Sequence, residues 1–208
     1  MSDAAGSPGR RLGVLVSGRG SNLQALIDAI RDGRLDATIA LVLSNVADAP
    51  ALEKAAAAGL DTLVVSHRGW SSREAYDEHL AAALRAQQVD VVCLAGFMRR
   101  LSAHFLQCFP GPVLNVHPSL LPAFPGVDAP AQALAFGVKV AGCTVHLVTA
   151  ELDNGPIVRQ AAVPVLSSDS PASLAARILV EEHRLLPDAV NCVLSRRWRL
   201  DGRRFIEV

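Results

Sequence analysis

An amide and an imidazole stand two residues apart, at Asn115 and His117, where an apolar run of the sequence ends. If that run is a β-strand, both side chains project to the same face, because alternate residues of a strand share a side. An amide N–H beside a protonated imidazole can stabilise a developing oxyanion, and the imidazole can also pass a proton. On spacing alone, an ordinary strand-end pair is the more common explanation.

A carboxylate, Asp153, lies in the loop of residues 151–155, between two later strand-like segments. A carboxylate near an imidazole favours the charged ring and fixes its orientation. The Asp-Asn-Gly sequence here is also strong turn chemistry, and spacing alone favours a turn. His146 alternates within one of the flanking strand-like segments, and we interpret it as a wall residue whose hydrogen bonds are satisfied.

A glycine-rich loop, residues 17–22, lies between a strand-like and a helix-like segment. Such a loop directs backbone N–H groups and the positive end of a helix at one point, which suits a phosphate or another anion. It is not a Walker loop, because no Gly-Lys-Ser/Thr follows, and Leu23 stands where a dinucleotide motif has its third glycine. Alternatively, Gly18 and Gly20 only relieve a tight turn and Ser21 caps the helix.

Strand-like and helix-like segments alternate through the first half of the chain, the pattern of parallel βαβ units. The predicted strands are residues 12–16, 39–43, 63–65, 89–95, 113–117, 144–148 and 157–165. Helices are expected after residue 22, from the Asp48-Ala-Pro50 sequence, and from Ser71, which opens a Ser-x-x-Glu capping box.

The later segments change character. Residues 144–148 and 157–165 are joined by a loop and are expected to pair antiparallel. A long helix is expected from Ser170, interrupted or kinked near Pro187. We therefore predict an α/β fold, a Rossmann-like open mixed sheet that is mostly parallel with an antiparallel late strand, with helices on both faces.

Composition narrows the class of protein. The 208 residues, half of them hydrophobic, suit one domain at residues 11–208 after a disordered tail at 1–10. Lys and Arg balance Asp and Glu at 20 each, which argues against tight nucleic-acid binding.

The four cysteines form no C-x-x-C pair, so no metal is expected, and no apolar stretch is long enough for a membrane span. We expect a soluble cytoplasmic protein, a monomer or homodimer, that acts on small molecules.

Five segments resemble, in order, motifs of the phosphoribosylglycinamide formyltransferase family, folate-dependent enzymes of purine biosynthesis. They are residues 17–23, 95–99, 114–122, 152–156 and 181–183, and the resemblance spans residues 11–190. This agreement in order outweighs the plainer explanations given above for the separate motifs. It implies a one-carbon transferase that moves the formyl group of 10-formyltetrahydrofolate to the amine of phosphoribosylglycinamide during IMP synthesis.

The resemblance also implies a role for individual residues. Asn115 and protonated His117 would hold the oxyanion, and His117 could deliver a proton to the departing folate nitrogen. Asp153 would keep His117 charged and help to remove the amine proton through water. The implied substrate-binding residues are Gly20, Ser21, Asn22, Leu179, Val180, Glu181 and Glu182. The implied folate-binding residues are Arg73, Met98, Arg99, Arg100, Leu101, Asn115, Thr149, Ala150, Glu151, Leu152 and Asp153.

The sequence departs from the family pattern at two places. Val127 follows the Pro-Gly pair after which the family often has His, and Cys143 and Thr144 stand where it commonly has Thr and Ser. Both departures affect loop and substrate contacts. Neither affects the three residues expected to be catalytic.

Three alternatives share parts of this pattern. Methionyl-tRNA formyltransferase carries an extra C-terminal domain and needs a basic surface, and formyltetrahydrofolate hydrolase carries an extra N-terminal domain. We expect neither in a neutral chain of 208 residues. A catalytically silent nucleotide- or folate-binding module is the third alternative, and the presence of Asn115, His117 and Asp153 favours an enzyme over it.

Overall fold

The computed structural model describes residues 10–208. The predicted tail, residues 1–10, lies outside the described residues except for Arg10, whose guanidinium is 3.0 Å from the Asp36 carboxylate. The described residues fall into two units, the first ending at Val113 and the second running from Leu114 to Val208. The single domain expected from the sequence stays a prediction.

The described residues form nine strands and six helices. The strands are β1 (Arg11–Val16), β2 (Thr38–Ser44), β3 (Thr62–Val64), β4 (Val91–Leu94), β5 (Val113–His117), β6 (Val140–Leu147), β7 (Ile157–Pro164), β8 (Trp198–Asp201) and β9 (Arg204–Glu207). The helices are α1 (Ser21–Arg31), α2 (Pro50–Ala57), α3 (Arg73–Ala86), α4 (Ala103–Cys108), α5 (Ala129–Phe136) and α6 (Pro171–Leu194).

The first unit contains a parallel sheet. Strand β1 pairs with β2 and with β4, and β2 pairs with β3, all in the parallel sense. Consecutive residues of β1, β2 and β4 are buried, so both faces of these strands are covered. This explains why their sequences are apolar runs instead of alternating patterns. Helices α3 and α4 of this unit pack against each other.

Antiparallel pairing dominates the second unit. Strand β6 pairs antiparallel with both β5 and β7, while β9 pairs parallel with β7 and forms an antiparallel hairpin with β8. Helix α6 packs on β6 and β7. The predicted α/β class, with parallel strands early and antiparallel strands late, is confirmed.

Two helix starts differ from the sequence prediction by one or two residues. The residue before α3 is Ser72, not Ser71, and its hydroxyl accepts the Ala75 N–H at 3.0 Å. The residue before α1 is Gly20, in the left-handed conformation, so Ser21 is the first helical residue and not the cap. Where two serines, or a glycine and a serine, are adjacent, the sequence does not decide which of the two precedes the helix.

The predicted interruption of the long helix near Pro187 was wrong, and the alternative, a kink there, stays a prediction. Helix α6 continues from Pro171 to Leu194 with Pro187 inside it. Proline removes one backbone hydrogen bond and usually kinks a helix. Here the buried side chains on both sides of it, Leu186 and Ala189, fix the helix by packing on the sheet, which offsets that loss.

Candidate active site

The register between β5 and β6 brings two site residues side by side. Asn115 lies opposite His146 and His117 lies opposite Thr144 in the antiparallel pair. His117 and His146 are 5% and 2% exposed, while Asn115 is half-buried. Two buried imidazoles and an amide therefore share one region at the end of β5.

His117 is oriented by hydrogen bonding to the loop that follows β5. Its Nε2 lies 2.9 Å from the carbonyl oxygen of Phe124, so Nε2 carries a hydrogen and donates it. Its Nδ1 lies 3.6 Å from Oδ2 of Asp153, a charge contact that is longer than a direct hydrogen bond. Because Nε2 is committed to the carbonyl, Nδ1 is the nitrogen able to gain and lose a proton.

Asp153 is held in place by its backbone and by the loop around it. The residue has a positive φ of 47°, and Oδ2 accepts the backbone N–H of Gly126 at 2.8 Å. Its side chain is only 9% exposed. Gly155, two residues later, packs so closely on Leu147 that a Cβ would overlap its carbonyl oxygen. The Asp-Asn-Gly turn and the predicted catalytic carboxylate are therefore the same feature.

His146 is a site residue that sequence reasoning missed. Its Nδ1 lies 3.0 Å from the Leu147 carbonyl oxygen, which requires a hydrogen on Nδ1. Burial lowers its pKa below the ordinary value of 6.5, outweighing the Leu147 hydrogen bond and the Asp153 charge, which raise it. The neutral ring thus presents the Nε2 lone pair to the Asn115 amide nitrogen 3.2 Å away. One N–H of Asn115 is therefore donated to His146, which fixes the amide orientation.

The loop after β5 is attached to the sheet through Thr144. The Thr144 hydroxyl donates to the Ser119 carbonyl at 2.7 Å and accepts the Leu121 N–H at 3.0 Å. The Gln160 amide donates to the same hydroxyl at 3.0 Å. These bonds stabilise the loop whose Phe124 carbonyl orients His117. Thr144 is a second residue that sequence reasoning left without a role.

The glycine-rich loop belongs to the first unit and leads directly into α1. Gly20 has a φ of +70°, and a Cβ there would lie 2.6 Å from the Cβ of Ala51 on α2. Only glycine fits this position. Gly20 also has no side chain to accept the first N–H groups of α1, which include those of Ser21 and Asn22. N–H groups in such a position can bind an anion, and the assignment of that role to Gly20, Ser21 and Asn22 stays a prediction.

The predicted folate segment, Met98–Leu101, also belongs to the first unit. Met98 is 76% exposed, Arg99 is half-buried and Leu101 is buried. The Met98 N–H donates to the Ser17 hydroxyl at 2.7 Å, and the Arg100 carbonyl accepts from the Arg73 guanidinium. Two backbone groups of the segment therefore form hydrogen bonds within the protein. So does Arg73, which the sequence predicted to contact the folate.

The remaining predicted ligand residues lie in the second unit. On α6, Val180 is exposed, Glu181 pairs with Arg184 at 2.7 Å, and Glu182 is buried. Burial, followed by the charges of Glu182 and Glu181, raises the pKa of Cys143 on β6 to about 12. Leu179 of the same helix is half-buried.

The loop before Asp153 is largely exposed. Ala150, Glu151 and Leu152 are exposed and Thr149 is half-buried. The Glu151 carboxylate accepts a hydrogen bond from the Asn154 amide within the loop. The assignment of residues 149–153 to folate binding stays a prediction.

Residues 10–208 contain no cluster of three or more His, Cys, Asp or Glu side chains arranged to hold a metal ion. In the same part of the chain, no helix is both long and apolar enough to cross a membrane. The structure places the three predicted catalytic side chains together in the second unit. The predicted loop 20–22 and segment 98–101 are in the first.

Known proteins resemble this chain over most of its length. A family model described as formyl transferase matches residues 10–190. The chain is 45% identical over 190 residues to phosphoribosylglycinamide formyltransferase of Escherichia coli (strain K12), a match covering 91% of this chain and 87% of that protein. It is 49% identical over 188 residues to the trifunctional purine biosynthetic protein adenosine-3 of Drosophila melanogaster, covering 89% of this chain. The chain spans only 14% of that relative's length.

A solved structure gives the same result for the fold. The crystal structure of glycinamide ribonucleotide transformylase 1 from Symbiobacterium toebii superimposes with a TM-score of 0.94 at 49% identity. The superposition covers 99% of this chain and 100% of that one. The matched regions include β5, β6 and the loop carrying Asp153. By sequence and by structure, this chain belongs to the formyl transferase family.

Proposed function

We propose that this chain transfers the formyl group of 10-formyltetrahydrofolate to the amine of phosphoribosylglycinamide, a step of purine biosynthesis that leads to IMP. The observation that carries the proposal is the grouping of Asn115, His117 and Asp153 within the second unit, with the His117 ring 3.6 Å from the carboxylate. An amide donor, an imidazole and a carboxylate are the groups that acyl transfer to an amine requires. The name of the Escherichia coli relative supports the choice of acceptor.

Asn115 and His117 would stabilise the charge that develops when the amine attacks the formyl carbon. One N–H of Asn115 is donated to His146, which leaves the second N–H for the formyl oxygen. The His117 Nδ1 would donate its proton toward the departing folate nitrogen, because Nε2 remains bonded to the Phe124 carbonyl. Both donors are held before the substrate arrives, which lowers the cost of reorganisation during reaction.

Asp153 would act on both proton transfers. Its carboxylate faces the Nδ1 of His117, the nitrogen that would donate the proton. It would also accept, through water, the proton that the attacking amine loses. The Gly126 N–H on Oδ2 orients the carboxylate for this role.

The ligand-binding assignments are part of the same proposal. Gly20, Ser21 and Asn22 would hold the phosphate of the acceptor, with the stretch from Leu179 to Glu182 near its ribose or glycinamide end. The folate would bind along 98–101 and 149–153. The location in the cytoplasm, and a monomer or homodimer, stay predictions.

A transfer assay with the purified protein and 10-formyltetrahydrofolate tests the proposal. The acceptors to compare are phosphoribosylglycinamide, water and charged initiator tRNA. We expect turnover with the ribonucleotide and at most slow turnover with the other two. Turnover of water or of tRNA, with none of the ribonucleotide, would assign the protein to the hydrolase or to the tRNA enzyme instead.

Replacing His117 tests the catalytic assignment. We predict that His117→Ala lowers kcat by about 10³, since one oxyanion donor and one proton donor are lost together. Binding of both ligands, measured by calorimetry, should change little. Unchanged turnover in this variant would remove His117 from the mechanism.

A further inference from the structure

One face of α3 makes three polar contacts with the segment that follows β4. Arg73, Tyr76 and Asp77 occupy positions i, i+3 and i+4 of the helix, so they project in the same direction. Tyr76 and Asp77 are each only 2% exposed. The segment concerned, residues 98–102, includes residues 98–101, one of the two stretches to which the proposed function assigns folate contacts.

Two of these contacts involve consecutive residues of the segment. The Arg99 guanidinium lies over the Tyr76 ring, with Cζ 5.4 Å from the ring centroid, which is within cation–π range. The Arg73 guanidinium donates to the carbonyl oxygen of Arg100. Together they fix the side-chain direction of one arginine and the peptide plane of the next.

The third contact is between a buried carboxylate and the backbone. Asp77 Oδ2 accepts the N–H of Ser102 at 2.7 Å. The Ser102 hydroxyl in turn accepts the Phe105 N–H at 3.3 Å and so caps α4. Asp77 thereby fixes the point at which the segment ends and α4 begins.

The other end of the segment is attached to the glycine-rich loop. The Met98 N–H donates to the Ser17 hydroxyl at 2.7 Å, and that hydroxyl donates to Asn45 Oδ1 at 2.5 Å. Met98 itself is 76% exposed. The segment is therefore anchored at both ends and accessible between them, and α3 determines the shape of its second half.

We propose that Tyr76 and Asp77 are positioning residues for the folate co-substrate, which they affect by holding Arg99 and Ser102 in the geometry that binds it. This rests on the proposed function, because it concerns the segment to which folate binding is assigned there. Neither side chain contacts the ligand in this scheme. Arg73 belongs to the same set, so its role is to hold the Arg100 peptide.

Packing alone does not account for these residue types. A buried carboxylate is costly to desolvate, and an apolar side chain would fill the Asp77 position at lower cost. Leucine could likewise fill much of the Tyr76 position but would offer Arg99 no π-face. The Tyr76 hydroxyl donates to the Val65 carbonyl at 3.3 Å, a contact that is separate from the one with Arg99.

The test compares kinetic constants of full-length variants. Tyr76→Leu and Asp77→Ala should each raise KM for 10-formyltetrahydrofolate by about threefold to thirtyfold. They should leave kcat within about twofold and should not change KM for phosphoribosylglycinamide. Tyr76→Phe keeps the ring and loses only the hydroxyl, so it should recover most of the folate affinity.

Glu78→Gln is the matched control on α3, since this exposed carboxylate faces His104 of α4 at 3.7 Å and not the segment. Its constants should equal those of the parent. If Tyr76→Leu does not fold, Asp77→Asn replaces it as the test. This variant keeps an acceptor oxygen, so it should raise KM for 10-formyltetrahydrofolate less than Asp77→Ala does. A parent protein without formyl transfer would refute the proposed function. An active parent whose variants keep the folate KM, or raise both KM values equally, would refute the positioning role alone.

Discussion

At the scale of single residues, the site depends on which nitrogen of each imidazole carries a hydrogen. His117 donates through Nε2 and exposes Nδ1 to Asp153, whereas His146 donates through Nδ1 and accepts through Nε2. The two rings therefore donate to carbonyl groups from opposite nitrogens. In the proposed mechanism, His117 is the ring that exchanges a proton. His146 is placed to orient the Asn115 amide without exchanging one.

Replacing His146 should separate orientation from binding. His146→Leu removes the acceptor that fixes the Asn115 amide, so we predict that kcat falls by about tenfold to a hundredfold. Both KM values should stay within about threefold, because no ligand contact is removed. The exposed His67 provides the control: His67→Gln should match the parent. A rise in KM at constant kcat would show that His146 acts in binding.

The buried neutral ring of His146 also predicts a pH effect on stability. Its pKa is lowered by burial in the folded state, so the unfolded chain binds more protons than the folded one as the pH falls below 6.5. The stabilisation is complete above that value and is lost as the pH falls toward the folded pKa. Urea unfolding at about pH 7.5 and about pH 5.5 measures the free energy of unfolding at each pH. Between these two values, the parent should lose more unfolding free energy than His146→Leu. An equal change in unfolding free energy for the two proteins would contradict this assignment.

At the scale of elements, prediction from the sequence was most accurate where the residues at the end of a strand or helix allowed only one interpretation. Strand β5 has the predicted limits, because a buried run ends at His117 with Pro118 next to it. The short helices α4 and α5 were not predicted, since six to eight residues show little periodicity. A usable signal for α5 existed: Asp128-Ala-Pro130 repeats the Asp48-Ala-Pro50 sequence that correctly predicted α2.

Four side chains interact in the candidate site, and analysis of the sequence identified three of them. Asn115, His117 and Asp153 were found because their motif matched a family, not because spacing required it. His146 was missed because strand alternation predicts the face of a residue but not its partner. Its pairing with Asn115 depends on the register between β5 and β6, which is a tertiary property.

The start of α1 offers a test in which two glycines of one loop are compared. Gly20→Ala combines a left-handed φ of +70° with a Cβ 2.6 Å from that of Ala51, so we predict a loss of about 2–4 kcal/mol in unfolding free energy. A Cβ at Gly18 meets nothing within 4 Å. Gly18→Ala should therefore change stability by less than about 1 kcal/mol. Chemical denaturation measures both, and equal losses would contradict the crowding argument.

At the scale of the whole molecule, the proposed function assigns the catalytic side chains to the second unit alone and the ligand-binding residues to both units. The proposed catalytic side chains all follow Leu114, and the proposed phosphate loop and folate segment 98–101 all precede Val113. Changes in the first unit, such as those at Tyr76 and Asp77, should therefore mainly affect KM. Changes at the proposed catalytic side chains of the second unit, Asn115 and His117, should mainly affect kcat.

The four free cysteines report on the integrity of both units at once. Burial raises the pKa of Cys93 and of Cys143 to about 12 and that of Cys192 to about 11. Cys108 is half-buried and lies 3.4 Å from the His104 ring. Because the thiolate is the reactive form, the three buried thiols should react slowly in the folded protein.

We therefore predict that iodoacetamide at neutral pH labels Cys108 first, giving one modification per chain by mass spectrometry. The other three should be labelled only as the protein opens, so urea should accelerate their labelling together with the loss of folded signal. Cys108→Ser should abolish the first modification and leave the rest unchanged. Early labelling of Cys93 in the first unit, or of Cys143 in the second, would show that the corresponding sheet is open in solution, because each thiol is fully buried within a strand.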